Sequence, residues 1–130
     1  MKTTNWIKIS ALLLAIAVAF GALGAHALEN FLSIEQIEWW NKGVFYQLIH
    51  SLGMLTIGIL FTINPKLNLK WCLRIMLFGI LLFSGSLYVL AINKGILGEI
   101  TFIKYAMIPI TPIGGSCFII SWILLLVKMR

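Results

Sequence analysis

Uncharged apolar runs alternate with short charged segments along this chain. Four stretches contain no Lys, Arg, Asp or Glu, and they measure 20, 23, 19 and 23 residues: 9–28, 43–65, 75–93 and 105–127. A helix rises 1.5 Å per residue, so about 20 residues cross the roughly 30 Å hydrocarbon core of a bilayer. The pattern therefore predicts four membrane-spanning helices.

The composition excludes several classes of protein. Hydrophobic residues make up 61% of the 130 residues, charged residues only 11%, and the mean hydropathy is +1.02. An ordinary soluble domain carries about 25% charged residues. A water-soluble globule, a disordered tail and a disulfide-built secreted module are therefore excluded. We expect an all-α fold, a four-transmembrane-helix bundle, with residues 1–130 forming a single membrane domain.

Local signals predict where the helices begin and end. The four spans are expected at about residues 6–28, 43–63, 71–93 and 111–127. Ser33 and Gln36 have the spacing of a capping box, so the second helix should begin at Ser33 and lead into its span. It should end before Asn64 and Pro65, because the residue before a proline is driven out of helical geometry.

The last span is predicted to begin at Thr111. A threonine followed by Pro112 is typical of an N-cap and a first helical residue. Residues 94–110 would then form a loop, with Gly95 and Gly98 as helix breakers.

The distribution of basic residues predicts the orientation. Seven basic residues would share one side of the membrane: Lys2, Lys8, Lys66, Lys70, Arg74, Lys128 and Arg130. Only Lys42, Lys94 and Lys104 would lie on the other side. The more basic side of a membrane protein is normally cytoplasmic, so both termini are expected there. The net charge of +6 thus indicates topology or attraction to anionic lipid headgroups, and no nucleic-acid partner is expected.

The first span resembles a signal peptide, because lysines precede it and Ala25-His26-Ala27 has small-x-small spacing. Its uncharged run is longer than a usual signal core and continues through Leu28. We therefore expect this segment to remain as a membrane span.

Polar side chains inside the spans fall at similar depths. Counting 1.5 Å per residue from the cytoplasmic end of each span places seven of them about 20 to 30 Å away: His26, Gln47, His50, Ser84, Ser86, Tyr88 and Thr111. Polar groups in hydrocarbon are costly unless they bond to each other or line a wet cavity. We therefore predict that they face inward and form a polar pocket in the outer leaflet.

The two histidines, His26 and His50, allow several interpretations. They suit axial haem ligands, transition-metal ligands or a proton relay, since imidazole titrates near neutral pH. They equally suit neutral histidines that tie helices together by hydrogen bonds. No Cys, Asp or Glu lies at ligand spacing, and their depths differ by about 9 Å. The structural interpretation is favoured, and neither a metal nor a cofactor is predicted.

Gly114 and Gly115 would lie in the first turn of the fourth span. A helix N-terminus with glycines could hold a lipid phosphate or a substrate carboxylate. Close packing against the small residues of the first span is the favoured alternative.

Hydrolytic chemistry has few candidate groups. The chain contains no Asp, and its four Glu lie outside the spans. Gly114-Gly115-Ser116 together with His50 is superficially similar to the dyad of rhomboid proteases, but that family uses more helices and a longer motif. We predict no catalytic residue and no enzymatic activity.

Four ordered motifs carry a family resemblance. They are Gly21-Ala22-Leu23-Gly24-Ala25-His26-Ala27-Leu28, Tyr46-Gln47-Leu48-Ile49-His50, Phe83-Ser84-Gly85-Ser86-Leu87-Tyr88 and Thr111-Pro112-Ile113-Gly114-Gly115. In this order and spacing the chain resembles the YgdD/YwdK family, also known as domain of unknown function 423, with eukaryotic relatives similar to transmembrane protein 256. The resemblance implies a small four-helix protein of the bacterial inner membrane without an established activity. The stretch from Glu99 to Ile110 is longer than that family leads us to expect.

Two functional hypotheses follow from these patterns. The first is a non-enzymatic membrane accessory or scaffold protein, in contact with membrane lipids and assembling as a homo-oligomer. The second is a small-solute, proton or lipid transport or binding protein that uses the layer containing His26 and His50. Packed, mutually bonded polar side chains would favour the first hypothesis, and a ligand or ordered water in the layer would favour the second.

Overall fold

The computed structural model describes residues 2–130, and most of them are α-helical. The four helices are α1 (Thr3–His26), α2 (Ile34–Ile63), α3 (Lys70–Gly95) and α4 (Thr101–Lys128). Each is long and apolar enough to cross a membrane, and no strand occurs within the described residues. The predicted all-α, four-helix fold is confirmed.

The predicted ends of α2 are confirmed. The Ser33 hydroxyl accepts a bond from the Gln36 backbone N–H at 3.4 Å, and the Gln36 side chain accepts from the Ser33 backbone N–H at 2.9 Å. This reciprocal capping box satisfies two donors that a helix start leaves free. The helix ends at Ile63, with Asn64 as its C-cap and Pro65 opening a single 3-10 turn. At 30 residues, α2 is about 45 Å long.

The predicted start of α4 is wrong. The helix begins at Thr101, and Thr111 lies well inside it together with Pro109 and Pro112. The preference for proline at the first position of a helix comes from water-soluble proteins. Membrane helices tolerate internal prolines, because neighbouring groups satisfy the backbone atoms that the proline frees. The predicted loop over residues 94–110 is therefore mostly helix, and only residues 96–100 connect α3 to α4.

A buried asparagine shapes this short connection. The Asn93 amide donates to the Ile100 carbonyl at 3.1 Å and accepts from the Ile100 N–H at 3.0 Å. Gly98 and Glu99 between them have φ values of 74° and 60°. Two consecutive residues in the left-handed region reverse the chain sharply, and glycine adopts that region without strain.

The helices pack with α2 and α3 at the centre of the bundle. α1 lies mainly against α2, and α4 lies mainly against α3. Each outer helix buries only a narrow stripe, which runs from Trp6 to Gly24 on α1 and from Gly114 to Ser121 on α4. Their other faces are apolar and exposed, as expected for surfaces that contact lipid.

The two ends of the bundle differ in charge. One end, called here the glutamate end, contains the α1–α2 and α3–α4 connections and all four glutamates: Glu29, Glu35, Glu38 and Glu99. The opposite end, called the basic end, contains the start of α1, the end of α4 and the α2–α3 connection. One apolar core, around Trp40 and Tyr88, lies toward the glutamate end. A larger core, around Met54, Phe61 and Met76, lies toward the basic end.

Candidate functional site

Gln47 joins three helices through one side chain. Its amide N–H donates to the Leu13 carbonyl on α1 at 2.9 Å. Its amide oxygen accepts from the Tyr88 hydroxyl on α3, also at 2.9 Å. Both side chains are buried. Two of the predicted pocket residues thus bond to each other and leave no free polar atom between them.

Aromatic rings surround the Tyr88 end of this bond. Trp40 and Phe20 lie with ring centroids 4.7 and 5.0 Å from Tyr88, and these three rings are called here the aromatic cluster. The Trp40 indole N–H donates to the Phe20 carbonyl at 2.8 Å, a tie between α2 and α1. Gly43 makes room for Tyr88, because a Cβ atom there would lie 2.7 Å from the ring. The depth count considered only polar residues within the spans, so it did not predict that Trp40 and Phe20 lie beside Tyr88.

Ser86 and Thr111 form a second polar pair, between α3 and α4. Their hydroxyl oxygens lie 2.7 Å apart. Each hydroxyl also contacts a carbonyl of its own helix, that of Phe83 at 2.9 Å and that of Met107 at 3.3 Å. Hydroxyls bonded in this way have their donors satisfied. Ser86 thus faces α4, whereas Tyr88, two residues further along α3, faces α1 and α2.

Gly114 lies in close contact with α3. A Cβ atom on Gly114 would collide with the backbone of Phe83. The predicted packing partner, the first span, is therefore wrong, because α3 occupies that position. The predicted location in a first turn is also wrong, since α4 starts at Thr101. Gly114 and Gly115 lie in the middle of a helix, where the backbone offers no free row of N–H groups to an anion.

His50 lies at the side of the bundle, in a groove between α2 and α4. The groove has a volume of about 420 Å³, and its walls include Tyr46, His50, Phe83, Gly115, Phe118 and Trp122; it is called here the α2/α4 groove. His50 Nδ1 lies 2.8 Å from the Tyr46 carbonyl of its own helix. The imidazole stacks on Phe118, with ring centroids 3.5 Å apart.

The inward orientation predicted for His26 is wrong. His26 is exposed in the last turn of α1. The buried stripe of that helix passes through Gly24, and a residue two positions further points to the opposite side. The two histidines therefore do not share a site. Within residues 2–130, no three His, Cys, Asp or Glu side chains come together as metal ligands.

Ser84 is buried between α2 and α3, and its hydroxyl oxygen has no hydrogen-bond partner among the described residues. The same holds for Ser51 on α2, which was not among the predicted pocket residues. Small hydroxyl side chains cost little space in a tightly packed interface. Neither serine joins the Gln47–Tyr88 or the Ser86–Thr111 pair.

Comparison with known proteins identifies the family. The model of the family described as "Protein of unknown function (DUF423)" matches residues 20–115, which contain every residue of the polar pairs and His50. The chain belongs to the DUF423 family. The family resemblance stated from the four motifs is thereby confirmed.

Similar proteins come from several bacteria and are described as UPF0382 membrane proteins. One from Staphylococcus saprophyticus is 42% identical over 123 residues, covering 94% of this chain and 93% of its own. YwdK of Bacillus subtilis is 37% identical over 127 residues, covering 94% and 93%. One from Haemophilus influenzae is 34% identical, covering 92% and 88%. No solved structure matches the chain. This DUF423 protein is a multi-pass membrane protein of a family without a known function.

This DUF423 chain also has a charged cavity at its glutamate end, which sequence reasoning missed. It measures about 320 Å³ and lies where α2, α3 and α4 meet. Lys94 pairs with Glu35 at 2.9 Å and lies 5.1 Å from the centre of a Trp39 ring. Lys104 pairs with Glu99 and lowers the pKa of that carboxyl below its usual value, by hydrogen bonding and by its charge. Glu35 and Lys94 are far apart in sequence, so no local pattern signals their pairing.

Proposed function

We propose that this DUF423 protein is a non-enzymatic accessory or scaffold protein of the bacterial inner membrane. The observation that carries the proposal is that Gln47 bonds to two neighbouring helices. Its amide N–H donates to the Leu13 carbonyl, and its amide oxygen accepts from the Tyr88 hydroxyl. A buried side chain used in this way is a structural tie between helices. Ser86 with Thr111, and Trp40 with the Phe20 carbonyl, support the same role.

The proposed orientation places both termini in the cytoplasm. Seven of the ten Lys and Arg residues belong to the basic end, and cytoplasmic segments carry the excess of positive charge. The glutamate end, with its two ion pairs, would then face the periplasm or the cell exterior. Contacts with lipids would cover the exposed faces of α1 and α4.

Transport through a layer of histidines has less support. Such a pathway needs titratable groups close enough to exchange protons through hydrogen bonds or water. His26 is exposed at the end of α1, and His50 opens sideways toward α4. Of this hypothesis we retain only the binding of a ligand, in the groove beside His50.

Replacing Gln47 by leucine tests the structural role of the polar layer. The variant leaves the Tyr88 hydroxyl and the Leu13 carbonyl without their partner, so we expect a loss of about 1 to 3 kcal/mol in the free energy of unfolding. Proteoliposomes that contain either the unmodified protein or Gln47→Leu should show the same proton and small-solute flux as protein-free vesicles. Stability is measured by thermal unfolding in one detergent, and flux by a pH-sensitive dye and by vesicle swelling.

Thr56→Val provides the matched control. Thr56 lies on the same helix, but it is exposed and its hydroxyl bonds only to the Leu52 carbonyl of α2. We expect its stability to remain within about 0.5 kcal/mol of the unmodified protein. Flux well above that of protein-free vesicles, reduced in Gln47→Leu but not in Thr56→Val, would contradict the scaffold proposal and favour transport.

Self-association forms the second part of the proposal. α1 presents a row of exposed small residues to the membrane: Ala11, Ala15, Ala19 and Ala22. Small residues one turn apart allow close approach of helices, which drives association in lipid. Copies labelled with donor and acceptor dyes should therefore show energy transfer in proteoliposomes, and Ala15→Phe should reduce it several-fold.

Ile119→Phe is the control for added bulk. Ile119 is 62% exposed on α4, outside the alanine row, so this change should leave the energy transfer intact. Transfer no greater than that of randomly mixed monomers, or transfer that survives in Ala15→Phe, would argue against self-association through α1.

A further inference from the structure

The α2/α4 groove holds a buried imidazole in one fixed orientation. His50 is only 6% exposed. Phe118 covers one face, with a ring spacing of 3.5 Å and an angle of 11° between the planes. Tyr46 lies nearly parallel to it at 5.8 Å. These two stacked rings restrict rotation of the imidazole, so its nitrogens point in defined directions.

The contacts of His50 also determine which nitrogen can accept a bond. Nδ1 lies 2.8 Å from the Tyr46 carbonyl, and a carbonyl oxygen only accepts, so Nδ1 carries the proton and donates. In the neutral ring, Nε2 then holds a lone pair. Among the described residues Nε2 has no hydrogen-bond partner, and the ring forms part of the groove wall. The groove therefore contains an unused acceptor that a bound donor would satisfy.

The walls around this acceptor are aromatic and carry no charge. Tyr46, Phe83, Phe118 and Trp122 contribute rings, and none of the Lys, Arg, Asp or Glu residues in the described part of the chain lines the groove. A phosphate or a carboxylate would find no counter-charge there. A sugar would find few polar partners. A flat apolar ring with one or two hydroxyl donors matches both the lining and the acceptor, and the volume of about 420 Å³ falls in the range of small-molecule pockets.

A second groove on the other side of Trp122 suits an apolar tail. It measures about 390 Å³, and its walls are almost entirely apolar, with Leu14, Leu52 and Gly53 among them. Trp122 forms part of both grooves and rests against Gly53, where a Cβ atom would lie 2.7 Å from its ring. A molecule with a ring beside His50 and a chain passing Trp122 would occupy both.

We propose that the α2/α4 groove binds a lipid-soluble quinol, with a ring hydroxyl donating to His50 Nε2. The ring packs among the aromatic walls, and the apolar tail lies in the neighbouring groove beyond Trp122. The proposal concerns binding alone and includes no redox step. It does not depend on the scaffold role, since a protein can bind such a molecule whether or not it self-associates.

The test uses the full chain in lipid nanodiscs and a decyl-substituted benzoquinol under anaerobic conditions. We expect saturable binding and a shift of the His50 Nε2 resonance in 15N NMR spectra. The O,O-dimethyl ether of the same compound cannot donate, so it should bind about tenfold more weakly or worse. His50→Phe, which keeps a ring but removes the acceptor, should show a similar loss. His26→Phe changes the exposed histidine and should bind normally.

Gly115→Leu keeps the proposal testable if His50→Phe fails to fold. A Cβ atom at Gly115 would meet the Phe83 ring at 3.6 Å, an ordinary contact, and the longer side chain would fill the groove. We expect this variant to unfold at the same temperature as the unmodified protein and to lose binding. Equal affinity for the quinol and its ether, an unmoved Nε2 resonance, or undiminished binding by Gly115→Leu would each overturn the proposal.

Discussion

Replacing Gly114 by alanine is expected to destabilise the protein by about 3 kcal/mol, near the upper end of what overpacking costs. The added methyl group would collide with the backbone N and Cα atoms of Phe83. A side chain can rotate away from a collision, but the backbone of a packed helix cannot. The two helices must therefore move apart, which also stretches the bond between Ser86 and Thr111. Thermal unfolding in a fixed detergent measures the loss.

Gly115→Ala is a control at the adjacent position. The new methyl group would touch only the Phe83 ring, at 3.6 Å. Because alanine favours helix over glycine by up to about 1 kcal/mol, this variant should be as stable as the unmodified protein or slightly more stable. If Gly114→Ala and Gly115→Ala have equal stability, α3 and α4 are not in the close contact described here.

Much of the fold could be predicted because it depends on local chemistry. The capping box at Ser33 and Gln36 involves neighbours on one turn, and the break at Asn64 follows from the ring of the next residue. Uncharged runs of about 20 residues reflect the thickness of the bilayer. None of these signals depends on how the helices pack together, so the number and class of the helices follow from the chain itself.

The start of α4 could not be predicted in the same way. Thr111 and Pro112 have the local pattern of a helix start, yet Thr101 begins the helix. The deciding interactions are distant ones. Asn93 clamps Ile100 from the preceding helix, and Ser86 supplies a partner for the Thr111 hydroxyl. Such contacts become visible only once α3 and α4 are placed side by side.

The polar layer was predicted from the depth of each residue in the membrane. Depth does not specify the direction in which a side chain points around the helix axis. Gln47 and Tyr88 do meet, because both their depth and their direction agree. Ser86 and Tyr88 are close in depth but lie about 200° apart around α3. They therefore bond to different helices, Ser86 to α4 and Tyr88 to α2. His26 falls on the exposed side of α1 for the same reason. A depth count therefore identifies candidates for a buried layer, while only the packing of the helices decides which of them meet.

Replacing Trp40 by alanine is expected to cost about 3 kcal/mol, the lower end of the range for a large aromatic side chain in a core. The lower end applies because lipid is itself apolar, so the loss consists mainly of packing contacts and one hydrogen bond. Trp40 is 2% exposed, lies against Gly24 and donates to the Phe20 carbonyl. Trp71→Ala removes the same side chain from a site that is 60% exposed and should change stability by less than about 1 kcal/mol.

The aromatic cluster also predicts coupling between Trp40 and Tyr88. The Trp40 ring holds the Tyr88 ring at 4.7 Å and thereby positions its hydroxyl on Gln47. Without the indole, Tyr88 gains freedom and its bond weakens, so Tyr88→Phe should cost less in the Trp40→Ala background than alone. Residues in contact typically show coupling of about 0.5 to 3 kcal/mol. Strictly additive losses would mean that Trp40 fills space between α1 and α2 without positioning the polar tie, and the stability of the bundle would then depend on packing alone.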